Sequence, residues 1–484
     1  MSKEKQKGKE DRLKWWQLSL LGVACTIGTG YFLGTGIALT MGGPAVIFLF
    51  ILAAFGTYMV FDALARMTAA DPQAGSFRSY AKQAYGRWAG FTSGWVYWSS
   101  ELLIMGSQLA ALSLFTRMWF PQLPMWMFAS VYGLLGLGII LLGTKGFERM
   151  ENSFAVMKIA AILMFLVLAG AALLGMLGQG AYAPKVPAAG PEIWPGGGLG
   201  LWSSFIFAFY AFGGIEIMGL MAMRLKNPKE APKAGKMMIL LLTVVYIASL
   251  VCAVILVPIG AFNSKESPFA SALNHYQLPY VPHVFNSVLI IAGFSTMVAS
   301  LFAVTTMLVT LAGDHDAPKM FSAKKGSTRL PFTAVSFTAA GLLVSVVTAL
   351  LMPESVYEYV TTAAGLMLLY NWSFILITSG KLLKLSGWGQ TKRWGGIVLI
   401  AMAVIGTLFH ETSRPGFFIS LGFVAVIAVV TLIMRSVWKK QGGGSAGGPE
   451  DGTKKQAETP ESGYDEYEPS VNRPVLPRRR KSFS

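Results

Sequence analysis

The sequence has few charged residues for its length. Only 13% of its 484 residues are charged, and 54% are hydrophobic. A soluble domain usually carries about a quarter charged residues. So few polar side chains cannot cover a water-soluble particle of this size, which excludes an ordinary soluble protein.

Cysteine and histidine are also scarce. The two cysteines, Cys25 and Cys252, both fall inside hydrophobic runs, which excludes a disulfide framework. The four histidines are scattered without the spacing of metal ligands. No nucleophile motif or phosphate-binding loop appears. We therefore expect no enzyme activity, no metal and no cofactor.

Long hydrophobic runs fill most of the chain. A stretch of roughly 20 apolar residues spans a bilayer as a helix, and such stretches recur along most of the sequence. The pattern predicts an all-α integral membrane protein in a lipid bilayer. We predict twelve transmembrane helices, numbered spans 1 to 12, at 17–39, 43–65, 90–116, 125–144, 153–177, 200–223, 237–260, 284–312, 332–352, 356–380, 394–410 and 415–435.

The basic residues are unevenly distributed between the loops. The net charge of +16 would suggest nucleic acid in a soluble protein, but in a membrane protein it is the location of Lys and Arg that matters. If the N-terminus is cytoplasmic, 36 of the 40 lie in inside segments. This asymmetry predicts a cell-membrane protein with both termini in the cytoplasm and no nucleic-acid partner.

The charge and composition patterns also divide the chain. We predict a cytoplasmic N-terminal tail at 1–16, a transporter domain at 17–435, and a disordered basic cytoplasmic tail at 436–484. The last segment is rich in Gly, Ser and Pro with mixed charge, a composition that is typical of disorder.

Two spans carry clustered glycines. Span 1 contains Gly28 and Gly30, and span 6 contains Gly213 and Gly214. Glycine is poor inside a helix, costing about 1 kcal/mol relative to alanine. Two broken helices five spans apart predict an inverted repeat with a ligand between the breaks, where bare amides would meet an anion and bare carbonyls a cation. Close helix packing through small residues explains the spacing equally well.

The residues resemble a transporter family. The segments "GVACTIGTGYFLGTGIALTMGGPA", "DPQAGSFRSYAKQAYGRWAGFTSGWVYW", "FAFYAFGGIEIMGLMAMRLKNPKEAPKA" and "SPFASALN" are similar to the amino acid/polyamine/organocation (APC) transporters, most closely to their bacterial amino acid branch. The resemblance covers about residues 13 to 435. It implies a LeuT-type fold, a 5+5 inverted repeat plus two further helices, and amino acid transport.

The same resemblance implies a substrate site. It places the substrate carboxylate at the unwound part of span 1 and the amino group at span 6. The matching residues are Thr26, Ile27, Gly28, Thr29 and Gly30 in span 1, and Tyr210, Ala211, Phe212 and Gly213 in span 6. Tyr210 matches an aromatic gate over the substrate, and packing within the core is its alternative.

Charged residues inside spans are expensive and usually face the protein interior. Glu216 matches a family glutamate for proton coupling, and an anchor of the span 6 break is its alternative. Lys158 matches a lysine that replaces a sodium ion, which favours protons; its alternative is a side chain reaching the membrane interface. Glu101 falls where the family lines the side-chain pocket, and would favour a cationic substrate unless it pairs with another helix. Asp62 and Arg66 are four residues apart and should pair.

The sequence departs from the family at the cytoplasmic face. Arg66, Arg149 and Arg224 stand where the branch usually has glutamates, and Thr306 stands where it has an arginine. These changes predict a rewired cytoplasmic charge network. Its candidate acidic members are Asp62, Glu148, Glu151, Asp314 and Asp316.

Taken together, the sequence predicts a proton-coupled amino acid importer that works by alternating access. An amino acid exchanger stays open, as does a receptor that senses an amino acid without transporting it. The partners expected are the amino acid, protons and the bilayer. The oligomeric state is left open.

Overall fold

The computed structural model of the chain describes residues 13–73, 75–178, 180–188, 190–222, 225–276, 278, 280–322, 332–351 and 356–443. Two units are distinguished, Met1–Arg435 and Ser436–Ser484. The first is helical throughout its described length, apart from turns, loops and one isolated bridge between Leu13 and Leu225. Most of the two predicted tails lies outside the described residues.

The described α-helices are numbered in chain order. They are α1 Trp15–Thr26, α2 Thr29–Phe32, α3 Gly34–Gly42, α4 Val46–Ala70, α5 Phe77–Tyr85, α6 Arg87–Arg117, α7 Met125–Leu141, α8 Gly143–Leu173, α9 Gly190–Ile193, α10 Gly197–Tyr210, α11 Ile215–Met221, α12 Ala231–Leu256, α13 Pro268–Asn274, α14 Val281–Gly313, α15 Phe332–Leu351, α16 Val356–Leu382, α17 Gly387–Gly406 and α18 Arg414–Gly443.

Membrane-spanning helices dominate the described chain. Eight segments are long and apolar enough to cross a bilayer, the first of which joins α2 to α4. Helices α7 and α15 contain shorter apolar stretches. Helix α6 has 31 residues but buries several serines together with Glu101 and Gln108. Its polar face is buried in protein, where polar groups in a membrane segment are tolerated.

Both glycine-rich spans are interrupted, as the sequence predicts. Helix α1 ends at Thr26, Ile27 and Gly28 are extended, and α2 begins one residue later. Helix α10 ends at Tyr210, and a four-residue turn leads to α11. Gly214 closes that turn with φ of +110°, a conformation that L side chains rarely adopt.

Aromatic side chains form the core on one side of the interruptions. The rings of Tyr31 and Tyr246 stack with centroids 4.0 Å apart. Phe212 lies 5.1 Å from the Tyr246 ring, and Phe50 lies 6.2 Å from it. These contacts tie the segments that flank both breaks to α4 and α12.

The charge network that the sequence predicts at the cytoplasmic face is partly described. Arg66 pairs with Asp62 at 3.0 Å, as predicted, and Lys392 also contacts this carboxylate. The side chains of Glu148 and Arg149, and all of Arg224, lie outside the described residues. Contrary to the expectation for the network, Glu151 is paired inside the protein with Lys158.

A buried arginine joins α5 to the end of α14. Arg78 is 1% exposed and donates to Asp314 at 2.7 Å and to Asp316 at 2.6 Å. Arg87 holds Asp316 from the other side at 2.9 Å. Burial tends to raise the pKa of Asp314, but the nearby Arg78 and Lys82 charges outweigh it and hold that pKa below its usual value. Helix α5 is thus anchored by charge as well as by its buried apolar residues.

Candidate functional site

A cavity lies between the two interruptions. Its volume is about 30 Å³, which is room for water molecules and not for an amino acid. Helices α6 and α14 complete its wall. Six of the predicted site residues line it: Thr26, Gly28, Gly30, Glu101, Tyr210 and Gly213.

The two interruptions approach each other closely. A β-carbon at Gly30 would lie 2.9 Å from Cδ1 of Tyr210. One at Gly214 would lie 3.2 Å from the carbonyl oxygen of Cys25. Both distances are shorter than ordinary carbon contacts, so these positions accept only glycine without a shift of their neighbours. The glycines therefore break the helices and also allow the broken ends to meet.

Four predicted site residues do not line the cavity. Ile27 and Phe212 are fully buried in the apolar core. The carbonyl of Ala211 accepts from the Tyr246 hydroxyl at 2.9 Å. The Thr29 hydroxyl donates to Gln108 on α6. These residues support the interruptions from behind.

Tyr210 stands at the cavity wall and belongs to a chain of hydroxyl groups. Its hydroxyl donates to the Ser107 oxygen at 3.3 Å, and Ser107 lies 2.6 Å from the Thr361 hydroxyl. Tyr210 also packs with Ile104. The ring thus lines the cavity and also packs in the protein, and its role as a gate stays a prediction.

Glu101 projects into the cavity from α6 and is 2% exposed. Among the described residues, no ion pair involves this carboxyl group. The alternative role, pairing with a polar group of another helix, is met by the Ser300 hydroxyl of α14, which interacts with this carboxyl group. A buried carboxyl group without a cation is costly when ionised, unless a ligand or a proton supplies the charge.

Glu216 holds the second interruption together. One carboxylate oxygen accepts from the Gly214 amide at 2.9 Å, and the other accepts from the Trp372 indole at 2.6 Å. The side chain is fully buried. These contacts are those expected of an anchor for the span 6 break, and they connect the turn between α10 and α11 to α16.

Lys158 supports the first interruption. Its ammonium donates to the Ala24 carbonyl at 2.7 Å and lies 3.6 Å from a carboxylate oxygen of Glu151. The side chain is 0% exposed. The alternative, a side chain that reaches the membrane interface, is therefore wrong, because the ammonium is held inside the protein.

Comparison with known proteins identifies the family. The amino acid permease family model matches residues 17–442 of this chain. The chain belongs to the amino acid permease family. It is a multi-pass membrane protein, and its relatives support amino acid transport as its activity.

Several bacterial proteins are similar to this permease over most of their length. The uncharacterized transporter YcgH of Bacillus subtilis is 53% identical, over 91% of this chain and 98% of the relative. The aromatic amino acid transport protein AroP of Corynebacterium glutamicum is 29% identical, over 87% and 95%. The amino-acid permease AapA of Bacillus subtilis is 29% identical, over 75% and 79%.

One wall of the permease cavity is absent from the sequence predictions. Helix α14 contributes Thr296, Ala299 and Ser300. Thr296 also lies beside the first interruption, since a β-carbon at Gly28 would lie 2.6 Å from its methyl group. The only signal was a pair of hydroxyl residues four apart in an apolar helix, which share a face. Such pairs are common in membrane helices, and they do not say what the face meets.

Proposed function

We propose that this permease imports an amino acid across the cell membrane by alternating access, coupled to protons. The observation that carries the proposal is the pair of interrupted helices meeting at a buried cavity. Their broken ends present backbone groups of both kinds, which suit the two charges of an amino acid. Because the cavity is smaller than an amino acid, the helices must separate before a substrate can enter.

The substrate carboxylate, in this proposal, binds the amides at Gly28 to Gly30, where α2 begins. The ammonium group binds near Tyr210 and Gly213, at the end of α10. This orientation is supported by the cavity wall, which includes Gly28, Gly30, Tyr210 and Gly213. Thr26 completes the wall, whereas Ile27, Thr29, Ala211 and Phe212 act by holding the two interruptions in place.

The substrate side chain points towards α6 and α14 in this orientation. Glu101 gives the pocket a negative group without a described counter-ion, which favours a cationic side chain. Ile104 and Ala299 give it apolar surface. The name of the relative AroP refers to aromatic substrates, which makes a neutral ring the competing ligand for the same pocket.

Glu216 and Lys158 are proposed as the groups that couple transport to protons and to movement of the breaks. Each is buried and contacts the backbone of one interruption. We place these elements in a LeuT-type 5+5 repeat with two further helices and twelve spans. Residues 1–16 and 436–484 are then cytoplasmic tails, in agreement with the distribution of Lys and Arg.

Uptake into proteoliposomes tests the function. The purified permease is reconstituted and offered a panel of radiolabelled amino acids, with and without an inward proton gradient. We expect accumulation of one class, stimulated by the gradient. Counterflow that is independent of the gradient would instead indicate an exchanger. Saturable binding without accumulation would indicate a receptor and contradict import.

A further inference from the structure

A second buried charge accompanies Lys158 on α8. Glu151 lies seven residues earlier, so the two side chains share a face two helical turns apart. Glu151 is 1% exposed, and its Oε1 lies 3.6 Å from Lys158 Nζ. Two opposite charges buried together stabilise each other, and removal of either leaves the other uncompensated.

The Glu151 carboxylate also contacts the cavity wall. Its Oε2 accepts from the Ser295 hydroxyl at 2.7 Å, next to the cavity residue Thr296 on α14. Its Oε1 lies 4.0 Å from the Cys25 sulfur, and Cys25 lines the cavity on α1. One carboxylate thus contacts both α1, which ends at the first interruption, and α14, which lies beside it.

The contact between Lys158 and Ala24 explains why this pair matters. In an unbroken helix the Ala24 carbonyl would accept from the amide of Gly28, four residues on. The interruption removes that partner, and the Lys158 ammonium donates to the carbonyl instead at 2.7 Å. The broken end of α1 is therefore completed by a side chain of α8, and the direction of that side chain depends on what else holds its ammonium.

We propose that Glu151 is a positioning residue, which holds the Lys158 ammonium on the broken end of α1 and so fixes the first interruption beside the substrate. Glu151 touches no substrate in this account. It acts through Lys158 and through the Ser295 hydroxyl. The proposal rests on the proposed transport function, and it adds that the charge of Glu151 sets the affinity of the substrate site.

Three variants separate charge from shape. Glu151→Gln keeps the volume and an oxygen for the Ser295 hydroxyl but removes the charge. Glu151→Asp keeps the charge. Glu230→Gln makes the same chemical change outside the site, in the short helix before α12. Uptake kinetics are measured in proteoliposomes with L-lysine and L-phenylalanine, one cationic and one aromatic probe.

For Glu151→Gln we expect KM to rise about tenfold or more while the maximal rate falls less, since the site is loosened and the path stays intact. Glu151→Asp should recover most of the affinity, and Glu230→Gln should behave as wild type. A wild-type KM in Glu151→Gln would overturn the proposal. If the wild type accumulates no amino acid of the panel, the transport proposal fails separately.

A stability measurement tests the pair without any substrate. Thermal unfolding in detergent is compared for Glu151→Gln, Lys158→Met and the double variant. Each single variant leaves one buried charge uncompensated, whereas the double variant removes both. We expect the double variant to lose clearly less Tm than the two single losses added together. Additive losses would show that the two charges do not act on each other, and would overturn the proposal even if the Glu151→Gln variant were too unstable for transport assays.

Discussion

At the first interruption, the ammonium of Lys158 donates to a carbonyl that the end of α1 leaves without its helical partner. At the second interruption, the carboxylate of Glu216 accepts from the Gly214 amide, just before α11 begins. The two breaks are therefore held by opposite charges, each matched to the backbone group that the break exposes. A helix that ends leaves bare carbonyls, and a helix that begins leaves bare amides.

The breaks are alike in a second respect. The Tyr357 hydroxyl donates to the Thr29 carbonyl at 3.2 Å, and the Tyr246 hydroxyl donates to the Ala211 carbonyl at 2.9 Å. Each interruption is thus paired with one charged group and one tyrosine, of which only Glu216 belongs to a helix of the break itself. Backbone that cannot be hydrated inside a membrane has to be paired by protein groups, and this permease does so from four different side chains.

The largest expected effect comes from filling the space between the breaks. Gly30→Val places methyl groups against the Tyr210 ring, 2.9 Å from where its β-carbon would lie. This overpacking should cost about 3 kcal/mol of free energy, which corresponds to roughly a hundredfold loss of uptake. Radiolabelled uptake in cells checks it, with membrane insertion followed by blotting.

Gly34→Val is the matched control for that prediction. No heavy atom lies within 4 Å of a β-carbon placed at Gly34, so the variant should keep its uptake. If Gly30→Val inserts normally and transports like the control, the substrate does not pass between the two interruptions.

The second largest effect is expected at Glu216, which contacts only the second break. Glu216→Gln offers one acceptor oxygen for two donors, the Gly214 amide and the Trp372 indole. Leaving one buried donor unpaired should cost about 1–3 kcal/mol of stability. Thermal unfolding in detergent measures it, with the exposed Glu411→Gln as control. A variant that stays stable but no longer responds to a proton gradient would make Glu216 a proton carrier without a bracing role.

A smaller effect is expected at Glu101, which belongs to neither break. Glu101→Gln should lower the ratio of cationic to neutral amino acid uptake about tenfold, since about 1.4 kcal/mol of charge attraction is lost. Competition between labelled phenylalanine and unlabelled lysine measures this ratio. An unchanged substrate profile would mean that Glu101 supports the helices and does not choose the substrate.

The smallest effect is expected at Asp314, after the end of α14 and away from both breaks. Asp314→Asn should cost about 0.5–1 kcal/mol at neutral pH, because its side chain is partly exposed and its ion pair is screened by solvent. The folded-state pKa of Asp314 is lowered, so its contribution is present above the ordinary aspartate pKa and is lost as pH falls through the lowered value. Melting curves of wild type and variant should converge in strong acid; a constant difference would contradict this assignment.

The glycines pointed to the positions of both interruptions, because glycine is poor inside a helix, but the sequence alone could not separate a break from close helix packing. It also held a signal for the Glu151–Lys158 pair, whose spacing of seven puts both side chains on one face of α8. It could not place the α14 wall, because Thr296 and Ser300 resemble ordinary helix-packing residues until the neighbouring helix is known. Nor could the motif separate residues that line the cavity from those behind it, since a one-residue step turns a side chain by about 100° around a helix.

The most direct test of the central claim is a cryo-EM structure of the permease with an amino acid bound. We predict that the carboxylate lies within hydrogen-bonding distance of the Gly28–Gly30 amides and that the ammonium lies beside the Tyr210–Gly213 turn. A ligand bound elsewhere, with the space between the two interruptions closed as tightly as it is here, would contradict the account.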